Sequence, residues 1–155
     1  MKPDIKKLLI CLATPLVTGG LSALFSGGME DFRLLNAPPL SPPGWLFPIV
    51  WTVLYLLMGY ASYRVLTSGK SEENIKNALK LYGIQLFFNF FWSILFFGFG
   101  WRLVAFIWLI GLWIAIYLTM RKFSEIDELS SDLLIPYILW VTFAGYLNLG
   151  YIVLN

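Results

Sequence analysis

The sequence predicts an all-α fold, an integral membrane bundle of five transmembrane helices that forms one domain over residues 1–155. The chain is 59% hydrophobic and 18% aromatic, with a mean hydropathy of +0.74. Its 11 basic and 9 acidic residues leave five long stretches without charge: 8–29, 34–63, 81–101, 103–120 and 133–155. Each is long enough to cross a membrane, because about 20 helical residues span a hydrocarbon core of about 30 Å.

The same pattern excludes several classes of protein. A soluble domain needs a polar face on each surface helix, and a nucleic-acid partner needs clustered basic charge, so neither fits. A β-barrel needs strands in which apolar and polar residues alternate, and the mostly apolar run 84–99 shows no such alternation. The chain has no histidine and one cysteine, Cys11, which excludes a histidine-ligated metal or haem, a Ser-His-Asp triad and an intrachain disulfide. We therefore expect no metal and no required cofactor.

The first helix is predicted over about residues 8–26. Lys2, Lys6 and Lys7 precede it, as they would precede a signal peptide. However, the apolar stretch is long enough to span, and no small-x-small cleavage site follows it. A retained helix is favoured.

The second helix is predicted over 42–66, because Ser41 can cap it and two prolines suit its first turn. Residues 72–80 are read as a polar approach to a third helix over 79–98. The short connection 99–102 makes the third helix an antiparallel neighbour of a fourth over 103–121. Ser130, Ser131 and Asp132 offer caps for a fifth over 133–154.

Basic residues predict the orientation of the bundle. With a cytoplasmic N-terminus, the inner segments carry nine of them: Lys2, Lys6, Lys7, Arg64, Lys70, Lys76, Lys80, Arg121 and Lys122. The outer segments carry only Arg33 and Arg102. The positive-inside rule therefore predicts a multi-pass protein with its C-terminus and first long loop outside.

The interior of the predicted bundle is neutral. The uncharged stretches hold no carboxylate or lysine, which disfavours a proton-coupled pump or a retinal-type Schiff base. Gln85, Asn89 and Ser93 form one helix stripe, and Thr14, Thr18 and Ser22 form another. We interpret the Thr/Ser stripe as interhelical hydrogen bonding. For Asn89 both this reading and a ligand-orienting amide stay open.

Aromatic residues within the helices favour a flat ligand. Trp51 and Tyr55 share one helix face, and Trp140 and Ala144 share another. A cavity between these faces would suit a stacked aromatic molecule. Trp45, at a helix start, fits either an interfacial anchor or the roof of the cavity.

Three segments resemble the translocator protein family, whose bacterial members are the tryptophan-rich sensory proteins. They are SPPGWLFPIVWTVLY at 41–55 with Met58-Gly59, QLFFNFFWS at 85–93, and PYILW at 136–140 with Phe143-Ala144 and Leu147-Asn148. The resemblance covers nearly the whole chain and implies a pocket beneath the first long loop that binds porphyrins such as protoporphyrin IX and hydrophobic drugs. The expected ligand-binding residues are Ala23, Trp45, Phe47, Trp51, Tyr55, Asn89, Trp92, Trp140, Ala144 and Leu147.

The resemblance leaves alternatives open. Some bacterial members promote light- and oxygen-dependent porphyrin breakdown, for which Trp51 and Trp140 would be the catalytic residues. A structural scaffold without a ligand is a third reading. Family members are often homodimers, so a homodimer is expected on resemblance. Tyr151 is followed by no basic residue, which speaks against the mammalian cholesterol motif.

Overall fold

A computed structural model describes residues 3–27 and 30–155, so Lys2 of the charge bias lies outside the described residues. Within this part of the chain there are seven α-helices and no strand: α1 (Ile5–Phe25), α2 (Glu30–Arg33), α3 (Leu46–Leu66), α4 (Glu72–Ser93), α5 (Arg102–Ile126), α6 (Glu128–Asp132) and α7 (Ile135–Leu154). A π-helical turn, Ile94–Gly98, continues α4. Five helical segments are long and apolar enough to span a membrane. The predicted fold class is therefore confirmed.

The five long helices alternate in direction. Hydrogen bonds join the end of α1 to the end of α4, through Ser26 and Ser93, and the end of α7 to the start of α5, through Asn148 and Arg102. We call this end of the bundle the loop end, because the 26–45 connection lies there. At the opposite end, Arg64 of α3 meets Asp127 between α5 and α6.

The second spanning helix starts later than predicted. It begins at Leu46, whereas the caps at 41–43 predicted a start at Pro42. Ser41 and Pro42 each precede a proline, and a residue in that position is pushed out of the α-helical region. The Ser41 hydroxyl instead donates to the carbonyl oxygen of Pro38, at 2.7 Å.

Two other boundaries also differ from the prediction. The polar segment 72–80 is the first part of α4, capped by the Ser71 hydroxyl, which accepts from the amide of Asn74 at 3.2 Å. Glu72 and Glu73 favour this helix start through the helix dipole. The fourth spanning helix continues to Ile126, beyond the predicted end at 121. Ser130 to Asp132 belong to α6 and do not cap α7.

The backbones of α1 and α3 approach each other closely at Gly59. A Cβ atom on Gly59 would lie 2.7 Å from the carbonyl oxygen of Cys11 and 2.9 Å from the Cα atom of Leu12. Both are backbone atoms, which cannot rotate away as a side chain can. The absence of a side chain at Gly59 therefore fixes how closely these two helices pack.

We expect Gly59→Ala to destabilise the bundle by about 1–3 kcal/mol, because the new methyl group overlaps the backbone of α1. Thermal unfolding of the protein in lipid nanodiscs would measure this. Gly83→Ala is the matched control: it lies in α4 with nothing within 4 Å of its added Cβ. The control should stabilise slightly, by up to about 1 kcal/mol, through helix propensity. Equal melting temperatures for the two variants would contradict the steric argument.

An ion pair closes the end opposite the loop end. The Arg64 guanidinium donates Nε to Asp127 Oδ2 at 2.7 Å and Nη2 to Oδ1 at 3.2 Å. Asp127 also accepts from the amide and the hydroxyl of Ser130, at 3.2 and 2.6 Å, so it caps α6. The Arg64 hydrogen bond, followed by the Ser130 hydroxyl, lowers the pKa of Asp127, although partial burial opposes this.

The lowered pKa of Asp127 predicts a pH-dependent loss of stability. A carboxylate with a lower pKa in the folded state stabilises fully above its unfolded value of about 4, and this contribution is lost as the pH falls through the folded value. Asp127→Asn should destabilise by about 1 kcal/mol at pH 7. Unfolding measured between pH 7 and pH 3 should show the difference between wild type and variant shrinking below about pH 4. A constant difference would contradict the assignment.

Candidate ligand-binding site

A cavity of about 390 Å³ lies in the loop-end half of the bundle, between α1, α3, α4 and α7. This volume falls in the range of about 300–1,000 Å³ that is typical of small-molecule sites. The lining residues are Leu16, Gly19, Gly20, Ser22, Ala23, Ser26, Gly27, Phe32, Gly44, Phe47, Pro48, Trp51, Thr52, Tyr55, Asn89, Trp92, Ser93, Phe96, Phe97, Trp140, Ala144, Leu147, Asn148 and Tyr151. None of these carries a charge, so the cavity is neutral and largely apolar.

Most residues expected to bind a ligand lie on this cavity. The structure places there Ala23, Phe47, Trp51, Tyr55, Asn89, Trp92, Trp140, Ala144 and Leu147. Trp45 is the exception, because it is 67% exposed and does not line the cavity. It precedes the first turn of α3, which begins four residues later than predicted. The cavity-roof reading of Trp45 is therefore corrected, and the reading as an interfacial anchor fits its position.

Aromatic rings form the walls of the cavity. Trp51 stacks on Tyr55 with ring centroids 5.5 Å apart and planes 29° apart. Phe47 meets Trp140 edge to face at 5.8 Å. These two pairs close the cavity on the side of α3 and α7. Flat rings in such arrangements favour a flat, apolar guest.

A chain of hydrogen bonds runs from the cavity into the core. The Tyr55 hydroxyl donates to Asn89 Oδ1 at 2.9 Å, and Asn89 Nδ2 donates to the Tyr137 hydroxyl at 2.7 Å. Tyr137 in turn donates to Gln85 Oε1 at 2.6 Å. Since each tyrosine has one proton, the chain runs in one direction and fixes the orientation of the Asn89 amide. Asn89 and Gln85 are 4% and 1% exposed, so their stripe faces the interior.

Tyr137 was missed by the sequence analysis. It does not line the cavity, yet it is only 1% exposed and holds Asn89 in place. A signal was available, because Tyr137 lies three residues before Trp140, on a neighbouring part of the same helix face. A tyrosine buried in a membrane bundle needs a partner for its hydroxyl, and the amides of the α4 stripe provide it.

A second polar cluster lies nearer the loop end. Trp92 Nε1 donates to Asn148 Oδ1 at 3.1 Å, and Asn148 Nδ2 donates to the backbone oxygen of Arg102 at 2.9 Å. This cluster ties α4, α7 and the start of α5 together. The indole N–H of Trp92 is thereby used within the protein.

The Thr/Ser stripe of α1 divides into two kinds of contact. The Ser22 hydroxyl donates to the backbone oxygen of Phe90 at 2.7 Å, which joins α1 to α4 as expected. Thr14 and Thr18 differ from the prediction, since they donate to the oxygens of Ile10 and Thr14 in their own helix, at 2.7 and 2.8 Å. A threonine can satisfy its hydroxyl one turn back, so it needs no neighbouring helix.

Two indole N–H groups on the cavity are not used in this way. Among residues 3–27 and 30–155, the Nε1 donors that form hydrogen bonds are those of Trp92, Trp108 and Trp113, and neither Trp51 nor Trp140 forms one there. Both side chains are half-buried and line the cavity. An uncharged aromatic cavity with free N–H donors is suited to a flat molecule that carries hydrogen-bond acceptors.

The π-helical turn adds residues that the sequence analysis did not predict. Phe96 and Phe97 are neighbours in sequence, yet both line the cavity. Phe32, from α2, packs against them with ring centroids at 5.7 and 4.9 Å and against Tyr151 at 4.8 Å. These rings cover the loop end of the cavity. A π turn leaves no mark on the hydrophobic period, so these positions gave no signal.

Comparison with known proteins gives consistent matches. Residues 10–154 match the model of the TspO/MBR family. The chain is 37% identical to the tryptophan-rich protein TspO of Chlorobaculum tepidum over 100% of this chain and 99% of that protein. It is 37% identical to the tryptophan-rich sensory protein of Cereibacter sphaeroides over 81% of this chain and 77% of that one. It is also 37% identical to the translocator protein of Bos taurus, over 86% and 81% of the two chains.

Proposed function

The chain belongs to the TspO/MBR family of multi-pass membrane proteins, and from this premise we propose that it binds tetrapyrroles. Protoporphyrin IX and related flat, hydrophobic drug-like molecules are the proposed ligands. The protein then acts as a membrane receptor, sensor or carrier. The observation that supports this most is the neutral aromatic cavity, in which the N–H groups of Trp51 and Trp140 have no described partner.

Each feature of the cavity matches a feature of the ligand. The Trp51 and Tyr55 rings offer a surface on which a macrocycle can stack. The free indole N–H groups suit carbonyl or carboxylate oxygens at its edge. The uncharged lining contains no carboxylate, histidine or cysteine, which are the side chains that most often bind metal ions. The site therefore favours an intact organic molecule over an inorganic ion.

Titration of the protein in nanodiscs with protoporphyrin IX tests the proposal. Tryptophan fluorescence should be quenched with saturation in the micromolar range, because three tryptophans, Trp51, Trp92 and Trp140, line the site. Empty nanodiscs with soluble indole give the signal expected from partitioning alone. A linear, unsaturated response identical to that baseline would overturn the proposal and favour a structural scaffold.

A second candidate function is light- and oxygen-dependent breakdown of the bound porphyrin. It is favoured by the placement of both Trp51 and Trp140 on one cavity, where the excited macrocycle would withdraw an electron from an indole and oxygen would act as the oxidant. Illumination of the complex in air should yield a new absorbing product. The product should be lost in Trp51→Phe and Trp140→Phe. Equal rates in these variants, or without protein, would contradict this activity.

Orientation and assembly complete the proposal. The basic residues support a cytoplasmic N-terminus, which puts the loop end outside. Labelling of single cysteines with an impermeant reagent in sealed vesicles tests this orientation.

A homodimer is also proposed from the family resemblance. Light scattering in detergent would measure its mass, and a monomeric mass would refute it.

A further inference from the structure

We propose that the ligand enters and leaves the cavity sideways, from the lipid, through an opening between α1 and α3. We call this the lateral opening and define it by Gly20, Ala23, Pro48 and Thr52. The inference rests on the proposed function, because it concerns the route to the same cavity. It identifies the source of the ligand as the hydrocarbon phase of the membrane.

The exposure of the lining residues is distributed unevenly. Six of them are exposed, and all six belong to α1, to α3 or to the residues beside these helices: Gly20, Ala23, Gly27, Gly44, Pro48 and Thr52. The lining residues of α4 and α7 are all buried or half-buried. Four of the six, Gly20, Ala23, Pro48 and Thr52, lie within α1 and α3, and Gly27 and Gly44 lie at the loop end, so the exposed lining runs along the side where α1 faces α3.

Specific contacts cross the other boundaries of the cavity. Between α1 and α4, Ser22 and Ser26 form hydrogen bonds to the backbone oxygen of Phe90 and to Ser93. The Trp92–Asn148 bond joins α4 to α7. Between α3 and α7, the ring of Phe47 contacts the ring of Trp140, and a second groove lies between the same two helices.

The close contact of Tyr55 with α1 lies below the opening. A Cβ atom on Gly19 would lie 2.2 Å from the ring of Tyr55, so these two residues are in close contact. Above that point, toward the loop end, no hydrogen bond or aromatic pair links α1 to α3 among the described residues. Tyr55 thus forms the lower edge of the opening.

The depth of the opening places it within the bilayer. Gly20 lies five residues before the end of α1 and Thr52 six residues after the start of α3, which is about 7.5–9 Å inside the helix ends at about 1.5 Å per residue. Ala23 and Pro48 lie about 3 Å inside the same ends. At the depth of Gly20 and Thr52 a molecule reaches the opening from lipid. A flat, hydrophobic ligand partitions into the same layer.

The side chains at the opening allow it to be narrowed without disturbing the core. An added Cβ on Gly20 meets nothing within 4 Å, and Thr52 is exposed, with its hydroxyl bonded only to the oxygen of Pro48 in its own helix. Gly20→Phe and Thr52→Phe, combined in one protein, would add two rings at the two edges. Gly83→Phe is the matched control, since Gly83 is exposed and uncrowded on α4, away from the cavity.

Stopped-flow tryptophan quenching by protoporphyrin IX in nanodiscs tests the route. In the double variant, association and dissociation should both slow by about tenfold, because a narrower route raises the barrier in both directions, whereas a lost contact with the bound ligand would speed dissociation. The Gly83→Phe control should keep the wild-type rates.

Three results would overturn the proposal. Unchanged rates in the double variant would show that the ligand uses another route, such as the loop end beneath Phe32. Faster release with weaker binding would show that the two positions contact the bound ligand instead of its path. Equal slowing in Gly83→Phe would show a general effect of added rings. A wild type that does not bind protoporphyrin IX would refute the proposed function. A wild type that binds it, with the same rates in the double variant, would refute only the lateral route.

Discussion

Replacing Asn89 with leucine is expected to lower the free energy of unfolding by about 2–3 kcal/mol, one of the largest effects of a single substitution in this protein. The substitution removes the acceptor for the Tyr55 hydroxyl and the donor to the Tyr137 hydroxyl. In a lipid environment these groups find no water to replace the lost partner. Steric trapping or denaturant unfolding in micelles would measure the change.

Two further variants separate the hydrogen bonds from the packing. Tyr55→Phe removes only one link of the chain and should cost about 1 kcal/mol. Asn89→Asp has nearly the same shape as asparagine, and burial in the bundle favours its neutral carboxyl group, which accepts from Tyr55 and donates its proton to the Tyr137 hydroxyl. It should therefore retain more stability than the leucine variant. If aspartate and leucine destabilise equally, the polar chain does not account for the role of Asn89.

The combined change of Trp51 and Trp140 to alanine is expected to weaken the binding of protoporphyrin IX by about 30-fold to 100-fold, which corresponds to about 2–3 kcal/mol. Both rings line the cavity, and both carry an indole N–H without a described partner. The variant loses the stacking surface and the two donors together. Quenching titration of the remaining tryptophans, or porphyrin absorbance, would measure the affinity.

Trp113→Ala is the control for this experiment. Trp113 lies on α5, donates to the Thr142 hydroxyl at 2.9 Å and does not line the cavity. Its removal should change affinity by less than about twofold, since effects of distant sites are independent. An equal loss of affinity in the control variant would show that binding follows the tryptophan content of the bundle and not the cavity.

The fold was predictable from the distribution of charge. Uncharged stretches of about 20 residues are compatible with few structures other than spanning helices, so their number and order follow from the sequence. The ends of the helices were less predictable. Residues 72–80 are polar, yet they form the first turns of α4, because polar helix turns are stable where the helix lies outside the lipid.

The candidate site was predicted only in part. The helical spacing of aromatic residues indicated that Trp51, Tyr55 and Trp140 face a cavity, because residues at this spacing lie on one face of a helix. The role of Tyr137 depends on which helix stands opposite α7, and this is a tertiary contact that a single helix pattern does not contain. Trp45 was expected at the ligand from the family resemblance and from its place at a helix start, whereas the structure leaves it exposed just before α3.

The π-helical turn Ile94–Gly98 has a consequence for how the site could be redesigned. A π turn holds one residue more than the α-helical turn it replaces, because its hydrogen bonds reach one position further. Deleting Phe96 or Phe97 would restore a regular α-helix without rotating the residues on either side, because the wider turn takes up the extra residue locally. Such a deletion would remove one ring from the loop end of the cavity and leave the rest of the wall in place, a change in chain length that no point substitution imitates.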